Sequence, residues 1–446
     1  MRSSRRNFVQ KTSAMVAGVG LFSTLPFESM ARMRRVVSPN EKINMGLIGC
    51  KGMGWADMNS LLKNAEVDCI ALCDVDQSVL DERAADVEKI TGKKPKLYKD
   101  YRKLLENKDL HAVVIGTPDH WHCLPFVDAC EVGLDAYSEK PLANSIGECM
   151  IMQKAANKYN RVVQIGQWQR STPHFQHAID YIHSGAIGKI RTVKVWAYMG
   201  WMKSIPVKPD GPAPEGVDYD FWLGPATKRP FNPNRFHFNF RWYWDYAGGL
   251  MTDWGVHLVD IALWGMNAVA PKSIMSSGGK FAYPDDAMET PDTQQAIYEY
   301  DDFIMLWDHA VGIDGIHHNR NHGIEFVGNK GTMVVDRSGW EVFPEVGGPP
   351  EKKEYLTEKL PYHSNLGSGL DAHTKNFVEC IKSREQPRCN TDVGSLAAVN
   401  AHMGNIAFKT GRKVFWDNTT KQFKGDEQAN GLLLPEYRKP WKIPKV

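Results

Sequence analysis

From Lys42 to Gly166, short apolar runs alternate with longer stretches in which apolar positions recur every three or four residues. The runs at 43–49, 67–74, 112–116, 135–138 and 162–166 have the length of buried strands. The stretches at 53–63, 78–90, 101–106, 123–132 and 146–158 read as helices. Strand–helix–strand order repeated in this way predicts a doubly wound α/β domain, a parallel sheet with helices on both faces.

Beyond Gly166 the pattern changes. A helix is expected over 173–183, a strand over 190–198, and then a segment rich in Pro, Gly and aromatic residues from 200 to 246. A helix over 253–264 carries His257 and Asp260. Short alternating runs at 294–300, 303–310, 323–327 and 332–336 predict a large, mostly antiparallel sheet. Two helices, 371–383 and 394–410, close this second α/β domain, and the basic tail from 437 to 446 reads as a surface arm. The expected organisation is a leader (1–31), a first domain (42–166), a second (167–415) and an arm (416–446). At 446 residues the chain exceeds the ~250–300 at which one core stops growing.

The leader is basic, with Arg5-Arg6 followed by Phe8, then an apolar stretch and a small-x-small site at Ser29-Met30-Ala31. It resembles a twin-arginine export signal, which implies a periplasmic destination. Removing residues 1–31 lowers the net charge from +2 to −1, which excludes a basic footprint for nucleic acid. No apolar run reaches the ~18 residues of a membrane span. The eight cysteines form no C-x-x-C pair and read mainly as core thiols, with Cys380 and Cys389 the pair best placed for a bridge.

The first strand runs into G-C-K-G-M-G, Gly49 to Gly54, at the start of a helix, where backbone N–H groups cradle a pyrophosphate. Gly49 and Gly54 match the first and third glycines of the G-x-G-x-x-G fingerprint. Lys51 holds the second position, with Gly52 and Met53 beside it. Asp74 closes the second strand twenty residues beyond Gly54, where a carboxylate takes the adenosine ribose hydroxyls and repels a 2′-phosphate. The predicted cofactor is therefore NAD.

Three further motifs follow: T-P-D-H-W-H (Thr117 to His122), E-K-P (Glu139 to Pro141) and G-G-L-M-T-D-W-G-V-H-L-V-D (Gly248 to Asp260). In this order they resemble the glucose–fructose oxidoreductase/inositol dehydrogenase/MocA (Gfo/Idh/MocA) family, and within it exported Bacteroidetes-type members. The resemblance spans residues 42 to 415. It implies that Lys140 contacts the nicotinamide ribose and the reacting hydroxyl, with Thr117, Pro118, His120, His122 and Glu139 near the cofactor. It also implies that Gln167, Arg170 and Trp244 hold substrate. Independently, Asp253 and His257 stand one helical turn apart, so an imidazole that titrates near neutrality has a carboxylate beside it. Whether Lys140 or His257 accepts the hydroxyl proton is open at this level. No third ligand completes the D-x-H or H-x-H spacings, so no metal is expected.

Seven of the fourteen tryptophans lie between Trp196 and Trp264, interleaved with Asp220, Asn239, Arg241 and Asp245. Such a segment suits the C–H faces and hydroxyls of a sugar, although aromatic residues equally fill a core or an oligomer interface. The resemblance implies a sugar or glycoside dehydrogenase, acting on a ring hydroxyl such as that at C3, and a homo-oligomer joined through the second domain's sheet. Two alternatives stand beside it: an NAD-dependent glycosidase working by transient oxidation and elimination, and a non-catalytic sugar- or redox-binding protein.

Overall fold

The computed structural model describes residues 41–446 apart from Ile316 and Leu366, so the leader at 1–31 lies outside the described residues. Strands β1 (Ile43–Ile48), β2 (Val67–Cys73), β3 (Lys96–Tyr98), β4 (Ala112–Ile115), β5 (Asp135–Ser138) and β6 (Val163–Ile165) form a parallel sheet. Its order is β3-β2-β1-β4-β5-β6. The order reverses between β1 and β4, which opens a crevice at the carboxyl ends of the strands, where doubly wound sheets take their ligands. Five of the six strands coincide with the apolar runs. The edge strand β3 carries no such signal, because its K-L-Y is largely exposed.

One face of this sheet is completed from far along the chain. Helix Gly369–Ser383 packs beside helix Met53–Leu61 and buries Phe377, Val378 and Ile381 with Leu47, Val114 and Tyr137. The sequence pattern assigns this helix to the second domain, but its apolar stripe serves the first. Helix Thr391–Thr410 packs on helix Ile146–Lys158 of one domain and helix Gly255–Met266 of the other, tying the two together.

The second sheet comprises β7 (Ile190–Met199), β8 (Ser273–Gly279), β9 (Thr293–Glu299), β10 (Ile304–Val311), β11 (His322–Gly328), β12 (Gly331–Val335) and β13 (Gly339–Pro344), then β16 (His363–Ser364), β17 (Val414–Asp417) and β18 (Gln422–Phe423). The short strands β14 (Val346–Gly347) and β15 (Glu354–Tyr355) pair separately. All its pairings are antiparallel except β7 with β10. Val193, Val195, Ala197 and Met199 of β7 face the helices and are buried. The opposite face leaves Met275, Ile297, Ile304, Phe343 and Phe415 exposed.

Three expectations change. The helix expected over 253–264 is two helices, Gly249–Asp253 and Gly255–Met266, meeting at Trp254. The tail is no free arm: Trp441 packs edge-on against Trp121 (4.9 Å) and Phe221 (5.5 Å), the Tyr437 hydroxyl donates to Glu148, and Arg438 pairs with Asp220. Its aromatic residues outweigh its basic ones in deciding where it goes. All eight cysteines are free and buried. Cys389 donates to Gln167 Oε1 (2.9 Å) rather than bridging to Cys380. No helix among the described residues is long and apolar enough to cross a membrane.

Candidate functional site

β1 passes into helix Met53–Leu61 through a turn that only glycine accommodates. Gly49 has φ +85° and Gly52 φ +55°, ψ −122°. A Cβ on Gly49 would lie 2.7 Å from the Gly116 and Thr117 backbone, and one on Gly54 would lie 2.1 Å from the Gly49 carbonyl oxygen. Gly49 and Gly54 therefore take the first and third fingerprint positions. The backbone freedom displaced from position two by Lys51 comes from Gly52.

A cavity of about 610 Å³ extends from this loop across the strand ends. Gly49, Lys51, Gly52, Met53 and Asp74 line one part of it, and Thr117, Pro118, Glu139 and Lys140 another. Asp74 is oriented by the amides of Cys50 (2.7 Å, to Oδ2) and Asp76 (3.0 Å, to Oδ1). Burial pushes its carboxyl up, partly countered by those two donors. Glycines that admit a backbone-cradled pyrophosphate and a carboxylate on the next strand fit NAD. Replacing Asp74 with alanine is expected to weaken NAD binding more than NADP binding. A wild-type preference for NADP in the same titration would remove Asp74 from the ribose.

The second domain supplies the facing wall through Phe221, Trp222, Phe236, Phe238 and Phe240. Thus several aromatic residues of the 200–246 segment, which read as a sugar platform, border the dinucleotide cleft instead. Trp242, Tyr243 and Tyr246 are core.

Lys140 sits just beyond β5, at the carboxyl end of the sheet. Its ammonium donates to Asp253 Oδ1 (2.7 Å) and to the Asp253 carbonyl (3.1 Å), and Arg241 Nε donates to the same Oδ1 (3.2 Å). Burial alone would raise the Asp253 carboxyl, but Lys140 and Arg241 outweigh it and hold it far below the usual range. His257 is buried, and its Nδ1 has no partner among the described residues. Burial, then the charges of Lys140 and Arg337, hold its imidazole well below the ordinary 6.5, so it is neutral at pH 7. Lys140 and the Asp253–His257 turn, read from two separate motifs, thus converge.

Five other sequence-assigned residues have different surroundings. Arg170 forms a forked ion pair with Asp260 (2.8–3.0 Å), which uses the guanidinium for structure. Gln167 is buried between Cys389 and the Val256 carbonyl. Trp244 donates to the Glu289 carbonyl and lies under Lys409 and beside Phe408, away from the Lys140 cluster. His120 faces the Trp222 carbonyl and packs on Trp222 and Tyr246, with burial pushing it down to about 4. His122 sits between the carbonyls of Pro141 (2.7 Å) and Thr117 (2.9 Å), joining the two cofactor-side turns without lining the cavity.

Two residues of the cluster went unread in sequence. Asp119, inside T-P-D-H-W-H, lines the cavity, and burial pushes its carboxyl up to about 7 against the pull of Arg241 and Lys140. Arg337, after β12, stacks beside Trp168, whose ring lies 6.2 Å from that of His257. Motif spacing could have suggested Asp119, but nothing local marks Arg337. Among the described residues one group has metal-ligand spacing, His317, His318 and Glu325. It belongs to the second sheet rather than to the Lys140 cluster, and Lys194 pairs with Glu325 at 3.0 Å.

A doubly wound sheet with this glycine turn, a strand-end carboxylate and a lysine facing the cleft defines a dinucleotide-dependent oxidoreductase. Residues 43–167 match a family model described as "Oxidoreductase family, NAD-binding Rossmann fold", and residues 182–311 and 362–443 match its partner, "Oxidoreductase family, C-terminal alpha/beta domain". The chain belongs to the Gfo/Idh/MocA oxidoreductase family, and its first domain is an NAD-binding Rossmann domain. It is similar to an alpha-N-acetylgalactosaminidase of Shewanella oneidensis, 29% identical over 160 residues, 32% of this chain and 35% of that protein. The match thus spans about a third of that curated relative. Among solved structures, levoglucosan dehydrogenase in complex with NADH and levoglucosan shares the fold at TM-score 0.63 and 18% identity, over 84% of this chain and 99% of that one. Aldose-aldose oxidoreductase from Caulobacter crescentus does so at TM-score 0.61 and 19% identity, over 84% and 100%.

Proposed function

We propose that this protein oxidises a ring hydroxyl of a sugar or glycoside, such as that at C3, to a ketone. The observation that carries this reading is the ion pair of Lys140, which lines the dinucleotide cleft, with Asp253, and neutral His257 within reach of both charges. NAD, when bound, supplies the hydride acceptor. The side chains supply the rest. The Lys140 ammonium, held by Asp253, polarises the substrate hydroxyl, and His257 accepts its proton. Asp253 keeps Lys140 aimed and, already paired twice, stays ionised.

This assignment has a pH signature. His257 is active when neutral, so kcat/KM should hold down through pH 6.5 and fall only at more acid pH, as the imidazole protonates. A limb near pH 7 would belong to Asp119 and should vanish in Asp119→Asn. A limb near 7 that persists in this variant would mean that His257 is not held below its ordinary value.

A second reading is supported by the alpha-N-acetylgalactosaminidase relative: a glycosidase in which transient oxidation permits elimination of the aglycone before the ketone is reduced again. For either reading, the leader's resemblance to a twin-arginine signal supports export of the folded enzyme to the periplasm with NAD resident, re-oxidised in place by a second sugar or keto-sugar where the first is released as a ketone. The exposed apolar positions on the outer face of the second sheet support a homo-oligomer joined there. The test uses protein expressed without residues 1–31, dialysed extensively and mixed with sugars. Nicotinamide absorbance that survives dialysis and responds to sugar, with a product two mass units lighter, supports a resident-cofactor dehydrogenase. Released aglycone with unchanged absorbance supports the glycosidase. A sugar bound without either change would leave only a binding protein.

A further inference from the structure

Arg337 is a cation without a counter-ion among the described residues, and its charge acts on both His257 and Asp253. Its backbone is fixed just past β12: Asp336 Oδ1 accepts from the amides of Ser338 (2.8 Å) and Gly339 (3.0 Å), and the Arg337 carbonyl accepts from Asn365 (3.1 Å). The guanidinium carbon lies 4.8 Å from the Trp168 ring centre and 4.4 Å from that of Trp254. Its Nε donates to Gln169 Oε1 (3.1 Å). These contacts connect directly to the catalytic cluster. Trp254 follows Asp253 in the chain, the Trp168 ring is 6.2 Å from that of His257, and Gln169 also reaches the His257 carbonyl at 3.4 Å.

No carboxylate among the described residues pairs with Arg337, in contrast to two other enclosed arginines. Arg170 is closed by Asp260, and Arg320 by Glu341 and Asp336. Burial pushes Arg337 down to about 10, with only the charge of Asp253 pulling the other way. Among the described residues Asp253 is thus the one carboxylate whose charge reaches Arg337, and Lys140 and Arg241 already hold it. An enclosed charge is costly unless paired. A sugar hydroxyl could accept from the guanidinium but would leave its charge unbalanced.

We propose that Arg337 is an anion subsite and that the substrate is an acidic sugar, its carboxylate or sulfate ester received by the guanidinium fork. The fork is held in one orientation by two indoles and matches the paired oxygens of such a group. This inference rests on the dehydrogenase reading for its context and names the substrate class of that site.

The test compares a paired panel on the NAD-loaded protein: methyl glycosides of glucose, galactose and mannose, their uronates, and their 6-sulfates. Oxidation is followed by nicotinamide absorbance and binding by calorimetry. One acidic series should exceed its neutral counterparts by about 100-fold in kcat/KM or affinity, the scale of an enclosed charge pair. Which series does so identifies the group. Arg337→Gln should erase that preference, lowering the acidic series far more than the neutral one, and Arg337→Lys should retain part of it. Equal handling of neutral and acidic sugars by the wild type, which needs no variant to fold, overturns the proposal, as does an equal loss on both in Arg337→Gln. If no sugar is oxidised the dehydrogenase reading fails, yet calorimetry still decides the subsite: acidic sugars bound through Arg337 support it, and no preference among the sugars sinks it.

Discussion

Lys140→Ala and His257→Ala are each expected to lower turnover by at least about 10²-fold, the scale of a missing acid–base group. Each should leave the melting temperature within a few degrees of wild type. The expectation of small structural damage comes from what each side chain leaves behind. Without Lys140, the buried Asp253 carboxylate still has Arg241 Nε at 3.2 Å, so no charge is stranded. Without His257, no hydrogen bond of its Nδ1 is lost, because that atom has no partner among the described residues. A group that is held in a buried site yet bonds to so little of the protein is available to a substrate. Parallel measurements of single-turnover rate and thermal unfolding check both halves of the expectation. Near-normal turnover in both variants would falsify the assignment.

Gly54→Ala is expected to abolish retention of the dinucleotide and to destabilise the fold by about 1–3 kcal/mol or more, the cost of overpacking a tight interior. Its Cβ would stand 2.1 Å from the Gly49 carbonyl oxygen and 3.1 Å from Gly116 Cα, both rigid backbone atoms. Relief requires helix Met53–Leu61 to retreat from β1 and β4, and that movement carries the helix N-terminus away from the phosphate position. Gly116→Ala should behave alike, because its Cβ would lie 2.3 Å from Gly54 Cα. Gly92→Ala is the control. It has φ +73° but open space around it, so it should cost only about 1 kcal/mol of backbone strain and leave nucleotide binding intact. Thermal unfolding and the nucleotide content of purified protein distinguish these outcomes. Retention of NAD by Gly54→Ala would mean that the close approach of helix and strands is not what seats the cofactor.

Much of the cofactor side was legible before any fold was known, because it depends on neighbours in sequence. A glycine turn between a strand and a helix, and an acid at the end of the next strand, are local arrangements. Even the displacement of the second glycine to Gly52 could be read from the loop itself. The substrate side was less legible. Arg170 and Gln167 stand where a motif suggests ligand contacts, but Asp260 and Cys389 arrive from distant segments and occupy them. Trp244 and the aromatic run to Tyr246 gave no indication of which rings would face the dinucleotide and which would fill the core. An aromatic side chain gains from burial in either place.

The sequence by itself determined the doubly wound, parallel character of the first domain and the glycine turn of its dinucleotide site, and it named Lys140, Asp253 and His257 as candidates. The first two follow from periodicity and backbone conformation at short range, and the candidates from local motifs together with the family these resemble. Only the tertiary structure decided that Lys140 and Asp253, 113 positions apart, form one ion pair. It also decided that a helix near the chain end completes the first domain's core, and that Arg337 lies between two indoles without a counter-ion among the described residues. Those outcomes depend on which distant groups are brought into one low-dielectric space, where an opposite charge at 2.7 Å sets protonation more strongly than residue type does.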